Sequence, residues 1–264
     1  MTAPDFFLVD AFTDHIFGGN PAAVCPLQHW PDDDRLLRMT QEHNQAETAF
    51  FVATEDGFEL RWFTVLGEIN LCGHATLATA HVIFNHLHYP ADEIRFSTRF
   101  VGPLTVKRKD DGLMLDFPAW YPEPVETLPS VLLEGLGIAR VEQAFSGRDY
   151  LLVLENEQAV RNVNPDFSLL GQAGKCVCIT AAGDDCDFVS RFFCPGDAHQ
   201  EDPVTGSTHT MLIPFWSKRL GKQQMMARQL SARGGELRCE YTGDRVLISG
   251  QARTYLQGSL FLTN

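Results

Sequence analysis

Apolar and polar positions follow two patterns along this chain. Residues 6–12, 22–27, 49–52, 58–64, 94–97, 102–106 and 112–118 are short runs rich in β-branched and aromatic residues. Gly, Pro, Asn or Asp punctuate the segments between them, so they read as strands. Residues 32–43 carry a helical pattern. Residues 71–84 differ from both: they are small or apolar throughout, open on Gly73, and meet no proline until Pro90. That predicts a helix with no polar face, which must be covered on every side. The pattern returns at 205–213, where Gly206 opens a second small-residue start to an apolar helix.

The second half of the chain repeats the first. Arg191-Phe192-Phe193 stands 130 residues after Arg61-Trp62-Phe63, and Gly206 stands 133 after Gly73. Residues 235–239 and 245–248 repeat 102–106 and 112–115 at the same spacing of 133, and 147–154 stands where 19–24 stood. A constant offset over several landmarks predicts a tandem duplication. The proline-rich stretch 121–124 is the predicted linker, giving domains at 1–120 and 126–253, with 254–264 crossing back to complete the first. The fold class is α/β: two pseudo-symmetric domains, each a curved, mostly antiparallel sheet wrapped around its central apolar helix. A cleft between two such domains is a natural ligand site.

Composition narrows the function classes. The chain has 264 residues and a net charge of −13, with its basic residues scattered, which argues against a nucleic-acid partner. Neither a leader segment nor an apolar run of the roughly 20 residues a membrane span needs is read from it, so a cytoplasmic protein without a membrane partner is expected. Seven cysteines, an odd number, predict reduced thiols. Cys176 and Cys178 alternate with Val177 and Ile179 as in a buried strand; the alternative is a metal site shared with Cys186 or Cys194, but no CxxC pair supports it. His43, His81, His86, His88, His199 and His209 show no ligand spacing, and no metal is expected.

Candidate chemistry gathers at the two helix starts. Gly73 and Gly206 would let a ligand approach bare backbone N–H groups at the positive end of a helix, or would serve close packing alone. Glu47 lies between a polar helix end and an aromatic strand. There a shielded carboxylate can act as general acid and base, or a plain strand-start charge can cap. His74, in the first turn after Gly73, sits in a positive dipole that favours the neutral imidazole. Asp202 precedes the second helix start, where capping is the simpler role.

Together, Val9-Asp10-Ala11-Phe12-Thr13, residues 19–24, Glu47-Thr48-Ala49-Phe50, Cys72-Gly73-His74-Ala75-Thr76 and Glu201-Asp202-Pro203-Val204-Thr205-Gly206-Ser207 resemble the phenazine-biosynthesis isomerase family, the PhzF-like proteins. The resemblance implies the diaminopimelate-epimerase-like fold, a homodimer, no metal and no organic cofactor. It implies an isomerase moving a proton between carbons of a small carboxylate-bearing metabolite. Glu47 would be the proton shuttle, assisted by His74 and Asp202, with Asn20, Gly73, Gly206 and Ser207 holding substrate. The serine that often precedes the family glutamate is Ala46 here. Cys72 occupies the place of one catalytic thiol of the related epimerases, but its counterpart is Thr205, so a symmetric two-thiol racemisation is not expected. An amino-acid racemase using Glu47 or Cys72 with another acid is the alternative enzyme. A non-catalytic carboxylate-binding protein is the alternative of another class.

Overall fold

The structure, a computed structural model, describes residues 4–109, 112–196 and 199–262. It divides into two compact units, Met1–Phe117 with Ile248–Asn264, and Pro118–Leu247. The first contains β1 (Asp5–Ala11), β2 (Asn20–Leu27), α1 (Asp33–His43), β3 (Thr48–Thr54), β4 (Gly57–Thr64), β5 (Gly67–Ile69), α2 (Gly73–Asn85), β6 (Glu93–Thr98), β7 (Leu104–Lys109) and β8 (Gly112–Pro118). Strand β1 is antiparallel to β2, β2 parallel to β3, β3 antiparallel to β4, and β4 antiparallel to β5 and parallel to β6. Antiparallel β6–β7 and β7–β8 pairs follow. A parallel pair needs a crossover rather than a hairpin; α1 crosses from β2 to β3, and α2 from β4 to β6.

The second unit begins with β9 (Glu123–Pro124), α3 (Ser130–Leu136), β10 (Gln143–Ser146), β11 (Tyr150–Val153), α4 (Glu157–Asn162) and α5 (Phe167–Leu170). It continues through β12 (Val177–Ala182), β13 (Phe188–Phe193), β14 (Glu201–Asp202), α6 (Gly206–Leu220), β15 (Gln224–Gln229) and β16 (Gly235–Tyr241) to β17 (Arg245–Gly250). The pairings repeat step for step. Antiparallel β10–β11, parallel β11–β12, antiparallel β12–β13 and β13–β14, parallel β13–β15 and antiparallel β15–β16 match the first unit. Helices α4 and α5 take the place of α1, and α6 that of α2. The two helix starts lie 133 residues apart, as the sequence repeat required.

The last strand, β18 (Ala252–Ser259), pairs antiparallel with β1 over its whole length. The boundary between the units falls at Leu247, inside β17 and ahead of residue 253, and the chain beyond it returns to give β1 a second partner in β18. Helices α3, α4 and α5 have no counterpart in the sequence reading. They are only 7, 6 and 4 residues long, too short for a periodicity to declare itself. They are held by tertiary packing of Leu132, Leu136, Val160 and Leu170 against Ile179, Val189 and Phe193.

Each central helix hides its polar atoms. In α2 every residue except His81 and Asn85 is buried, and the helix packs on β1, β2, β3 and β18. The Thr76 and Thr79 hydroxyls donate back to the carbonyls of Cys72 at 2.6 Å and Ala75 at 2.7 Å. Their outward surface is thereby apolar. In α6, Pro214 has no N–H for the Thr210 carbonyl four residues back; Trp120 N donates to that carbonyl at 2.9 Å.

A second duplicated feature fixes the sheets. Arg61 grips Glu68 through Nε and Nη2, both at 2.7 Å, with its guanidinium 5.1 Å from the Phe63 ring centre. Arg191 grips Glu201 at 2.7 and 2.9 Å and lies 4.9 Å from Phe193. The geometry is the bidentate fork for which lysine is no substitute. It pins β4 to β5 and β13 to β14, the segments that lead into the two central helices.

The expectation of reduced thiols throughout is corrected at one pair. Cys176 and Cys194 are disulfide-bonded, with their Cα atoms 4.3 Å apart. They flank the antiparallel β12–β13 pair one step beyond the Val177↔Phe193 register, so the ladder itself sets them face to face. Cys25, Cys72, Cys178, Cys186 and Cys239 are free.

Burial holds His43, His81 and His209 at pKa values of about 4. The unfolded chain would bind these protons near pH 6.5, and the folded chain only near 4. Stability is therefore full above pH 6.5 and lost as the pH falls from 6.5 towards 4, by on the order of 3 kcal/mol for the fully buried His209. Thermal unfolding is expected to show Tm falling between pH 7 and pH 5, with a shallower fall in His209→Gln; a flat or rising profile would contradict this.

Candidate functional site

The first cluster is built on the crossovers of the first unit. Helix α1 ends at His43, and Asn44 reverses the chain in the left-handed region with φ 51°. Four residues later β3 begins. Between them, the Glu47 carbonyl accepts from Ala23 N at 3.2 Å, which extends the parallel β2–β3 ladder and fixes where Glu47 sits. Helix α2 starts after Cys72, whose extended backbone caps it without any side-chain hydrogen bond. A helix start of that kind keeps unpaired N–H groups and a partial positive charge.

Three predicted residues meet there. His74 Nε2 lies 3.2 Å from Glu47 Oε2, and Asn20 Nδ2 lies 3.1 Å from His74 Nδ1. The imidazole is buried, whereas the Glu47 side chain keeps 20% of its exposure, so the carboxylate is the solvent-facing member. Glu47 Oε2 approaches His74 as an ion-pair partner but not along a hydrogen-bond axis, and it makes no hydrogen bond. Cys72 Sγ lies against the same ring, 3.5 Å from Nδ1 and 3.9 Å from Nε2.

The electrostatics at His74 pull in opposite directions. Burial by itself disfavours a charged His74, as does the helix dipole. The Cys72 sulfur and the Glu47 carboxylate outweigh burial and hold the His74 pKa well above the usual imidazole range. Burial also raises the Cys72 thiol, so near neutrality the counter-charge that matters is Glu47. Glu47 thus opposes the neutral ring that burial and the helix dipole favour at His74.

The second cluster lies in the second unit. Asp202, at the end of β14, accepts from the Thr205 hydroxyl at 2.6 Å. Thr205 precedes Gly206 and, like Cys72, makes no side-chain cap to its helix. Ser207 Oγ accepts from Arg148 Nη2 at 3.2 Å. Arg148 also grips Asp149 through Nε and Nη2 at 2.8 and 2.6 Å and stacks over Trp120.

Of the predicted residues, Asn20, Glu47, Gly73 and His74 come together in the first unit, and Asp202, Gly206 and Ser207 in the second. Two others escaped the sequence reading. Gln229 is fully buried; its Oε1 accepts from Thr205 N at 2.8 Å and its Nε2 donates to the Asp202 carbonyl at 2.7 Å, tying the second helix start to β15. Its signal is a polar residue at an inward position of an alternating strand. Arg148 was legible through the repeat: it occupies the place of Asn20, and its contact with Ser207 matches that of Asn20 with His74.

Two repeated sheet-and-helix units, each opening a central helix on an uncapped glycine turn, constitute the diaminopimelate-epimerase-like fold. The chain matches the family model for phenazine biosynthesis-like proteins, PhzC-PhzF, over residues 9–258, and is an isomerase of that family. It is 49% identical over 257 residues to a protein of Pseudomonas aeruginosa named as an isomerase, covering 97% of this chain and 98% of the relative. A PhzF-family crystal structure from Enterococcus faecalis superposes with a TM-score of 0.94 at 42% identity, covering 99% of this chain and 100% of that one. A hydroxyproline epimerase from Agrobacterium vitis, crystallised with trans-4-hydroxy-L-proline, shares the fold with a TM-score of 0.65 at 10% identity, covering 97% and 91%. Among the described residues no helix is long and apolar enough to cross a membrane.

Proposed function

We propose that the protein moves a proton between two carbons of a small, conjugated, carboxylate-bearing metabolite, with Glu47 as the carrier and no organic cofactor. The observation that carries this reading is the Glu47–His74 pair beside an uncapped helix start. Glu47 takes the proton from a carbon next to the conjugated system, and the electron pair it leaves behind delocalises towards the substrate carboxylate. The same carboxyl group then returns the proton to a second carbon. His74 orients the carboxylate and, as an imidazolium, faces the negative charge that develops when the proton leaves.

The substrate carboxylate is assigned to the second helix start, with Gly206, Ser207 and the Arg148 guanidinium as donors and Asp202 as the assisting acid. Asp149 takes Arg148 N–H groups at Nε and Nη2, and a guanidinium has five donors in all. The family resemblance further supports a homodimer.

Proton NMR in heavy water tests the reading, with dihydro-hydroxyanthranilate as the first substrate and small conjugated carboxylates after it. Wild type is expected to isomerise its substrate with deuterium entering at the carbon that gains the proton. Glu47→Gln should lose roughly 10²–10⁴ in rate while still binding ligand; a fully active Gln variant would remove Glu47 from the chemistry. Arg148→Met should raise KM by about tenfold or more with a smaller change in kcat, since a charged hydrogen bond contributes roughly 1.5–3 kcal/mol. An unchanged KM would exclude Arg148 from the carboxylate site.

A further inference from the structure

We infer that Thr205 is a positioning residue for the Asp202 carboxylate, and that Gln229 fixes the direction of its hydrogen bond. The inference rests on the reading of Asp202 as the assisting acid. Thr205 stands at the N-cap of α6. A threonine hydroxyl there ordinarily accepts from an N–H group of the first helical turn. Thr205 makes no such bond. Its hydroxyl donates instead to Asp202 Oδ2 at 2.6 Å. A residue suited to capping has been turned away from the helix and towards a carboxylate.

The direction follows from counting donors. A backbone N–H only donates and a carbonyl only accepts, so the Gln229 amide has one orientation. Its Oε1 accepts from Thr205 N at 2.8 Å, and its Nε2 donates to the Asp202 carbonyl at 2.7 Å. The same Nε2 donates to Thr205 Oγ1 at 3.0 Å. Thr205 Oγ1 is thereby an acceptor from Gln229, and its single proton is left for Asp202 Oδ2. Gln229 is fully buried and Thr205 is 6% exposed, so water competes little for these groups.

The backbone that carries the carboxylate is held as well. Asp202 pairs with Phe192 in the β13–β14 ladder, and the Pro203 carbonyl accepts from Ser231 Oγ at 2.9 Å. With the main chain fixed, the Thr205 hydroxyl sets the rotation of the Asp202 side chain. The role also suits the residue. Thr205 stands where the first unit has Cys72. A hydroxyl is too weak an acid to exchange protons as a thiol does, but it can aim a carboxylate.

Two variants of the full chain test this. Thr205→Val keeps the side chain's shape and the backbone N–H but removes the hydroxyl, and Thr205→Ser keeps the hydroxyl. Crystal structures of both and of the wild type read the positioning without any turnover. The Asp202 carboxylate should keep its orientation in Thr205→Ser and rotate in Thr205→Val; an unmoved carboxylate in Thr205→Val would overturn the inference. Turnover is followed by proton NMR in heavy water, with dihydro-hydroxyanthranilate and then small conjugated carboxylates as probes. Thr205→Val should lower kcat by roughly 10–10²-fold with KM changed less than about threefold, and Thr205→Ser should restore it. In an Asp202→Asn background, where the acid is already gone, Thr205→Val should cost nothing further. An equal loss in both backgrounds would mark a merely structural role and overturn the inference. An impaired Asp202→Asn beside a fully active Thr205→Val would overturn the inference alone. A fully active Asp202→Asn would instead remove Asp202 from the chemistry, and with it the reading on which the inference rests.

Discussion

A helix without a polar face survives in water only if protein covers it on every side, and that constraint organises both units. Helix α2 meets it with β1, β2, β3 and β18 around it, and its threonines fold their hydroxyls back onto its own carbonyls. The demand for cover explains the C-terminal strand. Without β18 the β1 edge and one side of α2 would face solvent, and Ala252–Ser259 supplies both needs at once. The same cover leaves only the helix ends open. The backbone groups of the first turn, which no side chain caps, are where polar chemistry can enter an otherwise apolar assembly.

The duplication carries the scaffold but not the chemistry. Strand order, crossovers and the arginine–glutamate grip recur in both units. Cys72, Gly73 and His74 recur as Thr205, Gly206 and Ser207. One copy has become an imidazole beside a carboxylate, 3.2 Å apart. The other has become a hydroxyl beside an arginine, suited to holding an anion. Burial of the imidazole makes the first arrangement consequential: the ring is screened little from its neighbours, so Cys72 and Glu47 oppose the preference that desolvation imposes on His74.

Most of the fold was legible because it rests on repeated patterns. The strand runs, the two small-residue helices and the spacing of 133 all follow from side-chain periodicity and glycine placement. The short helices between β9 and β12 were not, because four to seven residues are held by tertiary packing and leave no period to read. The Cys176–Cys194 bond escaped for a related reason. Its geometry comes from the β12–β13 register, which local sequence does not specify. At the site, Glu47 and His74 could be named from motif, yet the charge on His74 could not. It depends on a partner 27 residues away in sequence and 3.2 Å away in space. Gln229 showed only as a polar residue at an inward strand position, and its role appears only when β15 lies beside the second helix start.

The charge of the His74 ring is the point on which the site's account turns. Nitrogen-15 NMR of the side-chain nitrogens, followed through a pH titration of the wild type and of Glu47→Gln, measures it directly. In the wild type both ring nitrogens should be protonated at neutral pH, and the midpoint should lie above the usual imidazole range. In Glu47→Gln that midpoint should fall. A ring that is neutral at pH 7 in the wild type, or one whose midpoint ignores the loss of the carboxylate, would contradict the pairing on which the proposed chemistry stands.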